Sequence, residues 1–274
     1  MKIAFTKMHG TGNDFIVVDA RKYKIPNLKK FAKEYCDRRF GVGADQVLLL
    51  GKSRKADFRM DIYNSDGSAV GMCGNGLRCL AKYVRDNKFT TKTEISVETP
   101  AGVQKAKILS KNKVEVDMGA PILKGKQIPV NLSGRVINRP LRVDGKEIRG
   151  TCVGMGNPHC VIFVDDPKTY PVEKMGPLLE KHHLFPQRTN VEFVRAVSED
   201  TIEMRVWERG SGETLACGSG ACAAAVASVL NNHTGREVAV KLPGGVLDVE
   251  WRREDDHVYM TGAAETVFKG EIEV

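Results

Sequence analysis

Short stretches in which apolar residues alternate with polar ones, or cluster as β-branched runs, recur along the whole chain. In the first half they are Phe15-Ile16-Val17-Val18, Gln46-Val47-Leu48-Leu49-Leu50, Phe58-Arg59-Met60-Asp61-Ile62-Tyr63, Glu94-Ile95-Ser96-Val97 and Lys113-Val114-Glu115-Val116. In the second they fall at residues 160–164, 191–196, 201–207, 237–241 and 257–260. Successive side chains of a strand point to opposite faces, so this two-residue period predicts strands. Helical spacing appears at 27–38, 74–87 and 218–231. The last of these, with Ala221-Cys222-Ala223-Ala224-Ala225-Val226-Ala227 at its centre, is small and apolar on every face, as a helix enclosed by other elements must be.

The two halves repeat each other. Met72-Cys73-Gly74-Asn75-Gly76 and Ala216-Cys217-Gly218-Ser219-Gly220 stand 144 positions apart. The same offset carries Gly10, Gly12 and Asn13 onto Gly154, Gly156 and Asn157, and residues 60–64 onto 204–208. Later the offset slips by one residue, so that Pro100, Gly102 and Val103 meet Pro243, Gly245 and Val246. A period this long means duplicated domains, since solenoids and propellers repeat every 20–50 residues or so. The prediction is an α+β protein of two pseudo-symmetric domains, each a curved mixed sheet or barrel around a central helix. The domains are expected at 1–118, completed by a returning strand within 263–274, and at 119–262.

Composition adds limits. The chain of 274 residues is 42% apolar and 28% charged, which suits a globular protein with two cores. No apolar run of membrane-spanning length and no signal peptide is present, so a cytoplasmic protein is expected. Seven cysteines at irregular spacing argue for reduced thiols and against a secreted disulfide framework. The net charge of +8 comes from scattered Lys and Arg with no interleaved aromatics, which points away from nucleic acid. It can still steer a small anion toward the protein.

Cys73 and Cys217 each precede a Gly-x-Gly segment that opens a predicted helix. There the unsatisfied backbone N–H groups and the helix dipole favour a thiolate, and the same N–H groups can bind a carboxylate. Two pseudo-equivalent thiols suit a reaction that is symmetric in chirality: one base takes a proton from one face of a carbon bearing a carboxylate, and an acid returns one to the other face. Cys36, Cys79, Cys152, Cys160 and Cys222 lack this setting and read as packing residues. Zinc at Cys152, His159 and Cys160, or at Cys73 and Cys79, lacks a C-x2-C knuckle, so no metal is expected. A redox role for the cysteine pair stays open, with a Cys73–Cys217 disulfide as an inactive form.

Over nearly its whole length the chain resembles the diaminopimelate epimerases, cofactor-independent two-cysteine enzymes of lysine and peptidoglycan precursor synthesis. The likeness rests on Met8-His9-Gly10-Thr11-Gly12-Asn13-Asp14-Phe15, Asn64-Ser65-Asp66-Gly67-Ser68, Met72 to Cys79, Gly156-Asn157-Pro158-His159 and Trp207 to Cys222. It implies that Cys73 and Cys217 are the acid/base pair and that Gly74-Asn75 and Gly218-Ser219 hold the substrate carboxylate. His159 and Glu208 would support the reacting centre. Asn13, Gln46, Asn64, Asn157, Asn190, Glu208 and Arg209 would surround diaminopimelate, Arg209 gripping its distal carboxylate. The resemblance also implies a homodimer. A proline or hydroxyproline racemase of the same fold is the nearest alternative, and it would not need Arg209.

Overall fold

A computed structural model describes residues 1–274, which divide into two compact units, Met1–Asp117 with Thr261–Val274, and Met118–Met260. In the first unit the chain forms β1 (Lys2–Gly10), β2 (Asn13–Asp19), α1 (Leu28–Tyr35), β3 (Gln46–Gly51), β4 (Phe58–Asn64), β5 (Ala69–Val70), α2 (Gly74–Asp86), β6 (Glu94–Thr99), β7 (Gly102–Ile108) and β8 (Lys113–Asp117). β1 pairs with β2 antiparallel, β2 with β3 parallel and β3 with β4 antiparallel. β4 then pairs parallel with β6, from which an antiparallel meander runs through β7 to β8. These strands wrap α2, which touches β1, β2, β3, β7 and β8 and is buried from Gly74 to Val84.

The second unit repeats the plan with β9 (Arg139–Val143), β10 (Lys146–Gly154), β11 (Pro158–Phe163), α3 (Val172–Glu180), β12 (Asn190–Ser198), β13 (Thr201–Glu208), β14 (Gly212–Thr214), α4 (Gly218–Leu230), β15 (Glu237–Leu242) and β16 (Gly245–Trp251). The pairing sequence is the same: antiparallel β10–β11, parallel β11–β12, antiparallel β12–β13, parallel β13–β15, antiparallel β15–β16. α4 sits in the centre against β10, β11, β12, β13, β15 and β16, and its alanines pack against Val153, Val161, Met204 and Leu247. Small side chains let six strands close around one helix, which explains an apolar surface on every side.

Along β17 (Val258–Ala263) the chain returns to the first unit, where β18 (Glu265–Glu273) pairs antiparallel with β1. α1 is shorter than the predicted 27–38: the Asn27 side chain accepts from the Lys30 N–H at 3.0 Å to start it, and it stops at Cys36. α3 was not predicted, because Gly176 and Pro177 interrupt its pattern. The repeat contained it nonetheless, since the 144-residue offset carries residues 28–35 onto 172–179.

Candidate active site

In the first unit the site is built where β2, β3, β4 and the tip of α2 meet. The register sets Phe15 beside Gln46 and Gln46 beside Asn64, so the polar residues at the strand ends collect at one end of the sheet. Cys73 is the N-cap of α2, and its Sγ accepts from the Gly76 N–H at 3.4 Å. The same sulfur lies 3.6 Å from Asn13 Oδ1, to which the thiol donates, and Asn75 Nδ2 donates to that oxygen at 3.4 Å. Asn13 Nδ2 donates to Asp45 Oδ2 at 2.8 Å, which fixes the amide with its oxygen toward the cysteine. Gln46 Nε2 donates to Asn64 Oδ1 at 2.8 Å.

Behind Asn13 stands a charged network. Arg38 grips Asp14 through both terminal nitrogens at 3.0 and 2.8 Å and reaches Asp45 at 2.8 Å, while Lys7 bonds Asp14 at 2.7 Å and the Gly43 carbonyl. Burial alone would raise the Asp14 carboxyl, but Arg38 and Lys7 outweigh it and hold it near 2. Gln46 Oε1 and Asn75 Oδ1 are buried without a partner in the protein. Leaving such an acceptor unmet costs about 1–3 kcal/mol, so both are vacant acceptors suited to a donor on a ligand.

In the second unit Cys217 is the N-cap of α4, but its sulfur has no side-chain capping bond and lies 3.6 Å from Ser219 Oγ. Here the helix tip's pull toward a thiolate is opposed by the surroundings. Burial, then the carboxylates of Glu208 and Glu192, push the Cys217 thiol well above its ordinary value, and Ser219 and the Gly220 N–H offset only part of the rise. Glu208 Oε1 accepts from Thr214 Oγ1 at 2.6 Å. Asn190 is tied at both ends of its amide, donating to the Pro158 carbonyl at 3.0 Å and accepting the Arg209 N–H at 2.9 Å. It therefore shapes the segment that presents Arg209, whose exposed guanidinium donates to the Gln187 carbonyl at 3.0 Å.

His159 is fully buried on β11. Its Nδ1 lies 2.7 Å from Glu192 Oε1 and its Nε2 lies 2.9 Å from Asn157 Oδ1. The first unit thus gathers Asn13, Gln46, Asn64, Cys73, Gly74 and Asn75, and the second gathers Asn157, His159, Asn190, Glu208, Arg209, Cys217, Gly218 and Ser219. Sequence reasoning missed Glu192, Asp45 and the Arg38–Asp14 network. For Glu192 a signal existed: the repeat carries the core residue Leu48 onto a carboxylate.

The two-unit architecture defines a fold class, that of proteins built from two similar units in each of which a curved sheet wraps a central helix. Over 99% of this chain it matches a probable proline racemase from Agrobacterium radiobacter K84, at 93% of that chain, TM-score 0.75 and 14% identity. A phenazine biosynthesis protein of the PhzF family from Bacillus anthracis matches over 100% of both chains at TM-score 0.74 and 15% identity. Identities this low show a common fold only. The sequence model of the diaminopimelate epimerase family matches residues 5–124 and 151–267. A diaminopimelate epimerase of Methanococcus maripaludis (strain C5) is 50% identical over 276 residues, covering 98% of this chain and 99% of its own. The chain belongs to the diaminopimelate epimerase family.

Proposed function

We propose that this protein is an isomerase that interconverts LL- and meso-2,6-diaminopimelate, without a cofactor, by proton transfer between Cys73, Cys217 and the substrate α-carbon. The observation that carries the reading is the duplicated cysteine at a helix tip in a member of this family. One cysteine, as thiolate, takes the α-proton and becomes a thiol. The other, as thiol, gives its proton to the opposite face and becomes a thiolate, so one proton enters and one leaves the carbon. The two sulfurs exchange protonation states in each turnover.

The negative charge that develops on the substrate spreads into its carboxylate, where the backbone N–H groups of Gly74-Asn75 and Gly218-Ser219 stabilise it. Donors aimed in advance at a developing charge need no reorganisation during the reaction. Asn13, Gln46, Asn64, Asn157 and Asn190 line or shape the substrate site, and Arg209 pairs with the distal carboxylate. His159 and Glu208 tune the reacting centre. The family match favours this reading over a proline-type racemase, and the seven free cysteines suit a reducing cytoplasm. The expected assembly is a homodimer, which sedimentation checks.

The decisive experiment incubates reduced protein with diaminopimelate in D2O without added cofactor or metal. Deuterium is expected at the α-carbon together with the epimer, and its absence would sink the proposal. Arg209→Ala is expected to weaken turnover of diaminopimelate far more than any residual exchange on a monocarboxylate amino acid. Equal losses on both would remove the arginine from its role.

A further inference from the structure

Duplication supplies an internal control for the second unit. The 144-residue offset carries Phe15 onto His159 and Leu48 onto Glu192. All four are fully buried, and the two pairs occupy matching strands, β2 with β3 and β11 with β12. In one unit an aromatic and an aliphatic side chain fill these positions. In the other a histidine and a carboxyl group do so, joined at 2.7 Å. The architecture thus folds around an apolar pair here, and the polar pair is an addition that packing does not demand.

It is a costly addition. A buried ionised group loses several kcal/mol of hydration unless its partners restore it. Glu192 Oε1 has His159, but Oε2 is buried with no hydrogen-bond partner. A Cβ placed on Gly220 would lie 2.8 Å from Glu192 Oε1, 3.2 Å from Cys217 Cβ and 3.3 Å from Cys217 Sγ. The carboxylate and the sulfur therefore face each other across the space that this glycine leaves open, at the first turn of α4. At the matching Gly76 the nearest atom is Leu48 Cδ2, at 3.1 Å.

We propose that Glu192 is a positioning residue of the proton-transfer site, orienting His159 through Nδ1 and setting a carboxylate beside Cys217 so that this cysteine rests as the thiol. Other titratable groups face the same carboxylate. His159 comes from β11, Glu208 from β13 and Cys217 from the tip of α4, while Cys160 on β11 feels its charge. His159 favours the ionised carboxylate, whereas burial and Glu208 oppose it. With Glu192 charged, removing a proton from Cys217 places like charges side by side in a low-dielectric space. The first unit has Leu48 at the matching position, so this carboxylate has no counterpart there and the two tips are set unequal, with Cys217 biased toward the thiol. This inference rests on the proposed role of Cys217 in proton transfer.

The test is a pH titration of the protein carrying 13Cβ-labelled cysteine, followed by NMR, with Cys73→Ser and Cys217→Ser assigning the two signals. Glu192→Gln keeps a hydrogen-bonding group for the ring and removes the charge. It is expected to lower the Cys217 midpoint by about one pH unit, a tenfold gain in thiolate fraction at a fixed pH below the midpoint, and to leave Cys73 unmoved. An unmoved Cys217 midpoint, or equal shifts of both cysteines, overturns the proposal. Where Glu192→Gln fails to fold, His159→Phe with Glu192→Leu installs the pair that the first unit already packs, and the same Cys217 shift is expected. Failure of both variants to fold also overturns it, because the pair would then be structural. The titration needs no substrate, so its outcome is independent of the deuterium experiment that tests the function.

Discussion

The tips of α2 and α4 carry the same Cys-Gly-x-Gly segment on the same strand framework, yet they hold their cysteines differently. Cys73 accepts a backbone N–H from Gly76 and touches an asparagine oxygen that Asp45 locks in place. Cys217 has the Ser219 hydroxyl at 3.6 Å and the Gly220 N–H beside it, but burial and two carboxylates bear on it more strongly. A helix N-terminus is thus an offer of positive potential whose effect on a thiol depends on what else is buried beside it. Duplication kept the backbone geometry, and substitutions at a few buried positions made one tip unlike the other. A two-base reaction on one carbon needs such inequality at any instant, one group protonated and the other not.

The largest effect is expected where the tips are alike. Cys73→Ala and Cys217→Ala should each lower epimerisation at least 10²–10⁴-fold, the usual range for removing a general acid or base. A variant that kept full rate would show that its tip is not used. The next contrast lies one turn into each helix, where Arg78 matches Cys222. Arg78 is fully buried, and it donates to Thr11 Oγ1 at 3.0 Å and to the Ala263 carbonyl at 3.3 Å. Arg78→Met should cost about 3 kcal/mol in urea unfolding by stranding these acceptors, against about 1 kcal/mol for Cys222→Ala. Similar losses would mean that Arg78 only fills space.

Gly220→Ala and Gly76→Ala probe the space between tip and strand. The added methyl group would clash with Glu192 Oε1 at 2.8 Å and crowd Cys217 in the second unit, against a tight 3.1 Å approach to the end of Leu48 in the first, so Gly220→Ala should lower Tm more. Equal Tm shifts would show that the Glu192 side chain yields freely. The smallest contrast is in pH dependence. Asp14 is lowered in the folded protein from the usual 3.8 to about 2, so it favours folding above about pH 4, and that stabilisation is lost as the pH falls toward 2. Glu192 is raised above the usual 4.5, chiefly by burial, so its ionisation opposes folding and its protonation as the pH falls relieves the cost. Amide exchange between pH 5 and 3 should therefore weaken protection around β2 and leave protection around β12 steady or improved. The reverse order would contradict both assignments.

Much of the fold was legible because it rests on local periodicity. The strands at 46–50, 58–63, 191–196 and 201–207, and the helices beginning at Gly74 and Gly218, follow from side-chain alternation and from a helix apolar all round. α3 was hidden because Pro177 and Gly176 break the pattern, and tertiary contact holds it: a Cβ on Gly176 would fall 2.4 Å from the Trp207 ring, so only glycine lets the helix lie that close. Among the proposed site residues, those in repeated or family-like blocks stand out in the sequence itself, including Cys73, Cys217, Asn13, Asn157 and Arg209. Asp45 and Glu192 were not, since a carboxylate in a strand reads as a solvated face until its neighbours are known.

By itself the sequence determined the duplication, the two cysteines at helix N-termini and the break in symmetry that turns Asn64 and Ser65 into Glu208 and Arg209. These are relations between positions along one chain, and repetition makes them visible without coordinates. Only the tertiary structure decided what surrounds each thiol and, at Cys217, that these surroundings favour the protonated form. That depends on burial and on charges a few ångströms away, and Glu192 reaches Cys217 from a strand 25 residues earlier in the chain. Folding closes that distance, and in a low-dielectric interior closeness in space, not in sequence, sets the strength of a charge.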